Sequence, residues 1–185
     1  MSLKLNVKEI FMKSLLELSQ EKPVEKITVQ NILDHSGAAR QTFYNYFTDK
    51  YDLINYVYQY EVESFFNKYY VNLDLYECIH RVYVLFIKSK QFYKHIAKME
   101  SQNSFKKFLY DNTRNFYIST IQKKFGKDEI NDRLTYIIDF TCHGAVGLCI
   151  HWIMNDMKET PEEMTSRIID CIHPEMKKYF IEQLY

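Results

Sequence analysis

The residues whose chemistry stands out lie between positions 40 and 47, where charged, amide and hydroxyl side chains alternate with aromatic ones. Placing successive residues about 100° apart around a helix axis puts Phe43 and Phe47 on one side. The opposite arc carries side chains that have no partner within the segment: Arg40, Gln41, Thr42, Tyr44 and Asn45. Arg can bind guanine through two hydrogen bonds, and Gln or Asn can bind adenine in the same way. Because hydroxyl groups suit phosphate oxygens, this face has the chemistry of a helix that lies in a DNA groove.

The elements that would hold this face in place are two short helices joined by a tight turn. Thr28 is expected to cap the first of them, which runs to about His35, because its hydroxyl can accept from the free amides at a helix start. Gly37 is expected to end it, since glycine tolerates the positive φ that often follows a helix. The second helix is predicted over about Ala39–Phe47, and an amphipathic helix over about 6–19 precedes both. This order of elements is the helix-turn-helix pattern of DNA-binding proteins.

The rest of the chain also shows helical periodicity, with helices predicted at about 50–70, 75–88, 91–99, 103–124, 129–155 and 160–182. Thr160 begins a capping box followed by proline, which starts the last of these helices, and the His173–Pro174 step should break or kink it. Only four glycines and three prolines occur, too few for a protein built from many hairpins. The predicted fold is therefore all-α, with a three-helix unit containing the helix-turn-helix over residues 1–48 and a larger helical unit over residues 49–185.

Three short stretches carry a family resemblance. Residues 27–32 are ITVQNI, residues 36–47 are SGAARQTFYNYF, and an Asp-Lys pair follows at positions 49–50. They resemble the DNA-binding signature of the TetR family of transcription factors, nearly without gaps over residues 5–55. The resemblance implies phosphate contacts from Thr28, Thr42, Tyr44 and Lys50. It also implies base contacts from Gln30, Arg40 and Gln41, with Asn45 at the margin.

Some features of this region leave alternatives open. In this family, position 39 often holds a small hydroxyl or acidic residue that caps the recognition helix, and here it is Ala39. Because loss of such a cap typically costs about 1 kcal/mol, we expect this helix to be less ordered without DNA. Tyr46 is expected to pack against the first helix rather than touch DNA. Gln30 can equally be a base contact or a solvent-exposed side chain.

A second resemblance lies in the penultimate predicted helix, where Gly144 and Gly147 interrupt a helical stretch. Each costs up to about 1 kcal/mol relative to alanine, which a soluble helix tolerates when something must approach its backbone closely. The stretch is similar to the TetR-family pattern in which the last two helices of two protomers form a four-helix interface. The resemblance implies a homodimer, with core or interface positions at Gly144, Gly147, Cys149, Ile150 and Trp152. Two recognition helices would then lie about 34–36 Å apart on a palindromic double-stranded operator.

The aromatic content is unusual, with 16 Tyr and 13 Phe. In the middle helices these side chains either wall a ligand pocket or pack an ordinary core. The residues that we assign to a candidate effector pocket are Tyr60, Phe86, Tyr93, Phe108 and Tyr117. That a pocket exists in this unit is implied by the family resemblance alone.

Composition and motifs argue against several other functions. Lys and Arg together number 24, as do Asp and Glu, so nucleic-acid binding has to come from a local patch. The four cysteines are far apart, which argues against a zinc site or a disulfide framework. No nucleophile elbow, phosphate-binding loop, zinc-protease motif or dinucleotide-binding motif occurs, so we expect no enzyme activity, metal or cofactor. No signal peptide or apolar run of 18 residues is found, which predicts a cytoplasmic protein without membrane contact.

The sequence therefore predicts a DNA-binding transcriptional regulator, in the first hypothesis a repressor that a small-molecule effector releases. In the second hypothesis a protein partner controls the regulator, which can be an activator and has no ligand pocket. The stretches from Arg40 to Leu53 and from Trp152 to Met164 resemble the subgroup of the dihydroxyacetone kinase operon regulator DhaS, some of whose members respond to a protein. The third hypothesis is a helical interaction module that has kept the helix-turn-helix.

Overall fold

The computed structural model describes residues 6–67, 74–99 and 105–180, with side chains up to residue 62 in the first range. Within these residues all regular structure is helical, which confirms the all-α prediction. The helices are α1 (Val7–Glu21), α2 (Val29–Ser36), α3 (Arg40–Tyr44), α4 (Lys50–Asn67), α5 (Leu75–Lys88), α6 (Lys90–Ala97), α7 (Phe105–Phe125), α8 (Asp132–Met154), α9 (Pro161–Cys171) and α10 (Pro174–Phe180). Short 3₁₀ turns at Val24–Lys26 and Lys127–Glu129 precede α2 and α8. The predicted ends of helices at 70 and 182 lie outside the described residues.

The first three helices pack around a small aromatic core. The Phe11 ring of α1 meets the Phe43 ring of α3 edge-to-face, with 5.2 Å between ring centroids. Phe43 lies 5.6 Å from Phe47, which lies 5.3 Å from Tyr56 of α4. Phe11 and Phe43 are fully buried, and Phe47 is nearly so. Since each aromatic pair adds about 0.5–1.5 kcal/mol beyond its area burial, this core fixes α3 to both α1 and α4.

The two ends of α2 confirm the sequence prediction. Thr28 Oγ1 accepts a hydrogen bond from the Asn31 amide at 3.1 Å, and the Thr28 amide donates to Asn31 Oδ1 at 3.1 Å. This reciprocal pair is a capping box that satisfies two free amides at the helix start. Gly37 follows the last residue with a φ of +68°, the left-handed conformation that favours glycine.

The recognition helix α3 is shorter than the predicted Ala39–Phe47, with five residues. Ala39 precedes it in an extended conformation and makes no side-chain capping bond, as its sequence predicts. At the other end, the amides of Tyr46 and Phe47 both donate to the Phe43 carbonyl, at 3.0 and 2.9 Å. The buried Phe43, rather than a cap, therefore holds this helix in place.

The later helices form a larger unit in which α7 packs along α8, α5 along α9, and α10 against α8. Trp152 of α8 lies inside it with 2% of its surface exposed. The Tyr83 ring of α5 meets Trp152 edge-to-face at 5.0 Å, and the indole Nε1 donates to the Glu159 carbonyl at 3.0 Å. Trp152 therefore ties α8 to α5 and to the segment before α9.

The last predicted helix is two helices in the structure. A capping box between Thr160 and Glu163 starts α9, with Pro161 at its first position, as predicted. The chain turns extended at Ile172, and α10 begins at Pro174, which confirms the predicted break.

The short helix α6 connects the two units. It packs against α1 and the Val24–Lys26 turn on one side and against α8 on another. Its Lys90 Nζ donates to the Asp156 carbonyl at 2.6 Å, and its Lys94 forms an ion pair with the Asp156 carboxylate. Any movement of α6 would therefore change its contacts both with the helix-turn-helix unit and with the turn after α8.

Among the residues that the structure describes, α8 alone is long and apolar enough to cross a membrane, by length and composition only. Its inner face belongs to the core, where Ile138 and Cys142 are fully buried. Core packing is thus one cause of its apolar character.

Candidate DNA-binding surface and ligand cavity

Most of the residues predicted to contact DNA reach the surface around α2 and α3. The exposed ones are Thr28, Gln30, Arg40, Gln41, Tyr44 and Asn45, whereas Thr42 and Lys50 are half-buried. Tyr44 keeps 46% of its surface exposed although its neighbour Phe43 has none. The polar and aromatic faces that helical spacing predicts are therefore present in α3, and the polar face is turned toward solvent.

Hydrogen bonds join the polar side chains of α2 and α3. Arg40 Nη2 donates to Gln30 Oε1 at 3.4 Å, and Gln30 Nε2 donates to Asp34 Oδ1 at 2.7 Å. On α3 itself, Gln41 Nε2 donates to Asn45 Oδ1 at 3.2 Å. Gln30, which the sequence left open between two roles, thus lies beside Arg40 at the surface, where both can reach a shared ligand.

Lys50 differs from the other predicted contacts because its ammonium group faces the protein. Its Nζ donates to the carbonyl oxygens of Val24, Glu25 and Ile27, at 3.1, 2.8 and 3.0 Å. An ammonium has three N–H donors, so this side chain uses all of them within the chain. Burial lowers the pKa of Lys50, with Glu25 acting against that shift. A phosphate contact by Lys50, which the family pattern implies, would require one or more of these bonds to break.

Tyr46 lies at the edge of this surface with 44% of its side chain exposed. The Lys8 ammonium of α1 is 6.0 Å from its ring centroid and 5.1 Å from that of Tyr56. Tyr46 is therefore beside α1, as expected, but it is not enclosed by that helix.

A cavity of about 530 Å³ lies among α4, α5, α7, α8 and α9. Its lining residues are Tyr58, Gln59, Val62, Cys78, Ile79, Val82, Tyr83, Leu109, Asn112, Thr113, Asn115, Phe116, Tyr117, Ser119, Ala145, Val146, Cys149 and Ile168. Its volume falls within the roughly 300–1,000 Å³ that is usual for small-molecule sites. The cavity can therefore hold a ligand of drug-like size.

The predicted effector pocket overlaps this cavity at one position. Tyr117 lines it, whereas Tyr60, Phe86, Tyr93 and Phe108 do not. Phe86 and Tyr93 are fully buried with their rings 4.6 Å apart, so they are core residues. Tyr60 pairs with Tyr56, and Phe108 packs edge-on against Tyr58. Those four residues therefore do not line this cavity, and their role in effector binding stays a prediction.

Sequence reasoning missed the polar wall of the cavity, which α7 supplies through Asn112, Thr113, Asn115 and Ser119. The sequence feature that could have indicated this wall is a set of small polar residues on α7, whose Leu109, Tyr117 and Ile121 are buried. Polar groups beside a buried face are expected to have a hydrogen-bond partner, so these residues mark a polar surface within the helical unit.

None of the lining residues that the structure describes is Asp, Glu, Lys, Arg or His. Burial raises the pKa of the Cys78 thiol to about 11 and also raises the pKa of the Cys149 thiol. Burial likewise raises the pKa values of Tyr58, Tyr83 and Tyr117. The described part of the cavity wall is therefore uncharged at neutral pH.

The outer face of α8 exposes large apolar side chains. Tyr136 and Phe140 are 79% and 82% exposed, and Leu148 and Met154 are about half exposed, at 46% and 49%. A Cβ built on Gly144 or Gly147 would meet no atom within 4 Å. The packing of the described residues therefore does not require glycine at these positions, and the surface there is open to another molecule.

The other predicted interface residues lie elsewhere. Trp152 is buried within the protomer, so of the two roles that the resemblance implies, core or interface, it has the first. Ile150 is half-buried and packs against the core. Sequence reasoning missed Tyr136 and Phe140, whose spacing of four residues places them on one helix face.

Comparisons with known proteins agree with this arrangement. A family model described as bacterial regulatory proteins of the tetR family matches residues 12–57, and one described as a transcriptional regulator C-terminal region matches residues 73–174. The second match alone covers more than half of the chain. No curated protein matches the sequence significantly.

Two solved structures share the fold. The dihydroxyacetone kinase operon activator DhaS superposes with a TM-score of 0.67 and 18% identity, over 92% of this chain and 96% of that one. A structure described as a putative TetR-family transcriptional regulator from Syntrophomonas wolfei strain Goettingen superposes with a TM-score of 0.52 and 22% sequence identity. This match covers 88% of this chain and 91% of that one. At these identities the similarity carries the fold and not the ligand.

Proposed function

The chain belongs to the TetR family of bacterial transcriptional regulators, and from that premise we propose that it is a repressor released by a small molecule bound in its cavity. Members of this family are DNA-binding transcription factors rather than enzymes, and they act as dimers. The proposal assigns DNA binding to residues 1–48 and effector binding and dimerisation to residues 49–185, in the cytoplasm.

DNA contact is assigned to the exposed polar face of α2 and α3. Arg40, Gln41 and Gln30 have side chains that can bind base edges in the major groove. Thr28, Thr42 and Tyr44 offer hydroxyls to phosphates, and Asn45 lies at the margin of the face. The local chemistry of this surface supports the assignment although the net charge of the chain is zero.

Dimerisation is assigned to the outer face of α8. Exposed apolar residues on monomeric proteins are usually scattered, whereas Tyr136 and Phe140 lie four residues apart and Leu148 lies eight residues further along the same helix. Gly144 lies within the same row, where a second backbone can approach. A two-fold pairing through this face would present two copies of α3 to the two halves of a palindrome.

The observation that carries the proposal of ligand control is the position of α4. Lys50 at its first turn holds the turn that leads into α2, and Tyr58 and Gln59 of the same helix line the cavity. Eight residues of helix separate Lys50 from Tyr58, about 12 Å along the axis. A ligand that displaces α4 at Tyr58 would therefore shift the support of the recognition unit.

The alternative is control by a protein partner, with activation instead of repression. The relative DhaS is named an operon activator, and the shared fold alone does not transfer that property. The cavity of about 530 Å³ favours a small molecule, because the partner-controlled hypothesis expected a closed core.

Fluorescence anisotropy on the DNA upstream of its own gene tests the proposal. We expect tight binding at physiological salt to one palindromic segment, which weakens when a cavity ligand is added. A reporter gene behind that segment should be derepressed by the same ligand. Reporter activity that rises with the protein would instead support the activator, and absence of sequence-specific binding would reject both.

A further inference from the structure

We propose that the cavity takes an uncharged, largely hydrocarbon molecule that carries at least one hydroxyl or carbonyl oxygen. The inference rests on the proposed function in taking this cavity as the effector site. It adds the chemical class of the ligand, which follows from the groups that line the wall.

The first support is a set of three buried tyrosines in the wall. Tyr58, Tyr83 and Tyr117 are 5%, 4% and 2% exposed, and all three line the cavity. None of their hydroxyls forms a hydrogen bond with a residue that the structure describes. Because these three residues line the cavity, their hydroxyls are available to bond to a guest inside it.

The rings of these tyrosines are held by aromatic neighbours. Tyr58 stacks on Phe86 with centroids 6.1 Å apart, and Tyr83 meets Trp152 at 5.0 Å. Tyr117 meets Phe180 edge-to-face at 5.2 Å. Because the rings are fixed by packing, their hydroxyls are preorganised for a ligand oxygen rather than free to turn away.

The second support is the hydrogen-bonding state of α7. Asn112 Nδ2 donates to the Phe108 carbonyl at 2.8 Å, and Thr113 Oγ1 donates to the Leu109 carbonyl at 2.8 Å. These bonds occupy side-chain donors of Asn112 and Thr113 but not their acceptor oxygens. Asn112 Oδ1, for example, accepts no hydrogen bond from the described residues. A ligand hydroxyl can donate to this wall and accept from a tyrosine, and a ligand carbonyl can accept from a tyrosine.

The third support is that no lining residue within the described ranges 6–62, 74–99 and 105–180 carries a charged side chain. A carboxylate or ammonium ligand would lose its hydration without gaining an ion pair, which costs several kcal/mol in a buried site. Because burial raises the pKa values of Tyr58, Tyr83 and Tyr117, none of them becomes a phenolate to balance a cation. The apolar remainder, such as Val82, Leu109 and Val146, suits a hydrocarbon body.

Two matched ligand series test the inference on the whole protein without DNA. The probes are octan-1-ol, octanoate and octylammonium, and 4-phenylbutan-1-ol with its carboxylate and ammonium counterparts, all below their micelle concentrations. The single Trp152 reports binding through its fluorescence, since it touches Tyr83. We expect at least one alcohol to bind about tenfold more tightly than both of its ions. An ion that binds as tightly as its alcohol, or no binding by either alcohol, would overturn the inference.

Hydroxyl deletions locate the binding. Tyr58→Phe, Tyr83→Phe and Tyr117→Phe keep the ring and remove the oxygen, and at least one should weaken alcohol binding about threefold or more. Tyr76→Phe, on the outer side of α5 and 38% exposed, is the matched control and should leave the affinity for the alcohol unchanged. Alcohol affinity that is unchanged in all three cavity variants would place the alcohol elsewhere and overturn the inference.

The outcomes separate the two proposals. An alcohol that binds but leaves operator affinity unchanged would reject release by this cavity and keep the ligand class. Operator release by an anion or a cation bound in the cavity would keep the proposed function and reject the ligand class.

Discussion

The ammonium nitrogen of Lys50 lies 2.8 Å from the carbonyl oxygen of Glu25, across 25 residues of sequence. Two further carbonyls, those of Val24 and Ile27, complete its bonds. The turn that leads into α2 is thereby tied to the first residue of α4. A basic residue that the family pattern assigns to phosphate thus makes structural contacts within the protein when no DNA is bound.

Lys50→Met should destabilise the protein by roughly 1–3 kcal/mol, since it removes a charged group that satisfies three carbonyls. Thermal unfolding measures the loss, with the exposed Lys123→Met as the control. The salt dependence of operator binding separates the two roles. A purely structural role leaves the slope of log K against log salt unchanged, and a slope reduced by about 1 would instead show a phosphate contact.

Arg40→Ala should relax base preference at one position of each operator half by about 1–3 kcal/mol, because a bidentate contact to a base would be lost. Competition among operators with single base-pair changes measures this effect. Tyr44→Phe is the companion variant and should weaken all operators alike, since phosphate contacts carry no sequence information. Equal losses on every operator with Arg40→Ala would contradict base contact.

Ala39→Ser should stabilise the protein by about 0.5–2 kcal/mol, because its hydroxyl can cap the five-residue α3. Thermal unfolding again provides the measurement. Ala39→Val adds bulk without a capping oxygen and serves as the control. If the two variants unfolded at the same temperature, the missing cap would not limit the stability of α3.

Phe140→Asp should convert the protein to a monomer, because a carboxylate would be buried in the middle of the α8 face. Sedimentation at micromolar concentration gives the mass, and operator affinity should fall by at least about tenfold, or 1.4 kcal/mol. Val84→Asp, at a 39% exposed position on α5, is the matched control. A dimer that survives Phe140→Asp would rule out α8 as its interface.

Glu61 predicts a pH dependence. Its carboxyl accepts hydrogen bonds from Tyr93 at 2.5 Å and Ser89 at 3.2 Å. Burial raises its pKa above the ordinary 4.5, and these two bonds together with Lys88 act against the shift. A raised pKa in the folded state stabilises the protein below the unfolded value, and that contribution is lost as pH rises through the folded value.

Glu61→Gln mimics the protonated acid, so the variant should gain stability relative to the wild type as pH rises from about 4 to 7. Chemical unfolding at several pH values measures the difference between the two proteins. Asp34→Asn, at an exposed carboxylate on α2, is the control. A stability difference that does not vary with pH would contradict the raised pKa.

The parts of the fold that follow from neighbouring residues could be predicted from the sequence. Thr28 with Asn31, Gly37 and the Thr160 box act within one turn of chain, so their chemistry is visible in the local letters. The separation of Phe43 from Tyr44 follows from helical geometry. The bounds of α2 and the polar face of α3 could therefore be predicted before the structure was known.

The features that depend on packing between distant segments could not be predicted in this way. Lys50 meets carbonyls that lie 23 to 26 residues earlier, and no periodicity encodes that contact. Aromatic residues at helical spacing gave no means to separate Tyr117, which lines the cavity, from Tyr93, which packs beside it. That difference arises only when five helices enclose one space.

The exposed row on α8 has a consequence for gene dosage. If two copies must dimerise before they bind both halves of an operator, the fraction of operator bound at low expression rises with the square of the protomer concentration. Doubling the protein would then raise occupancy nearly fourfold, and dilution at cell division would lower it equally steeply. Such a regulator responds steeply to its own concentration, and with α8 as the proposed interface, Phe140 would help to set the concentration at which the response occurs.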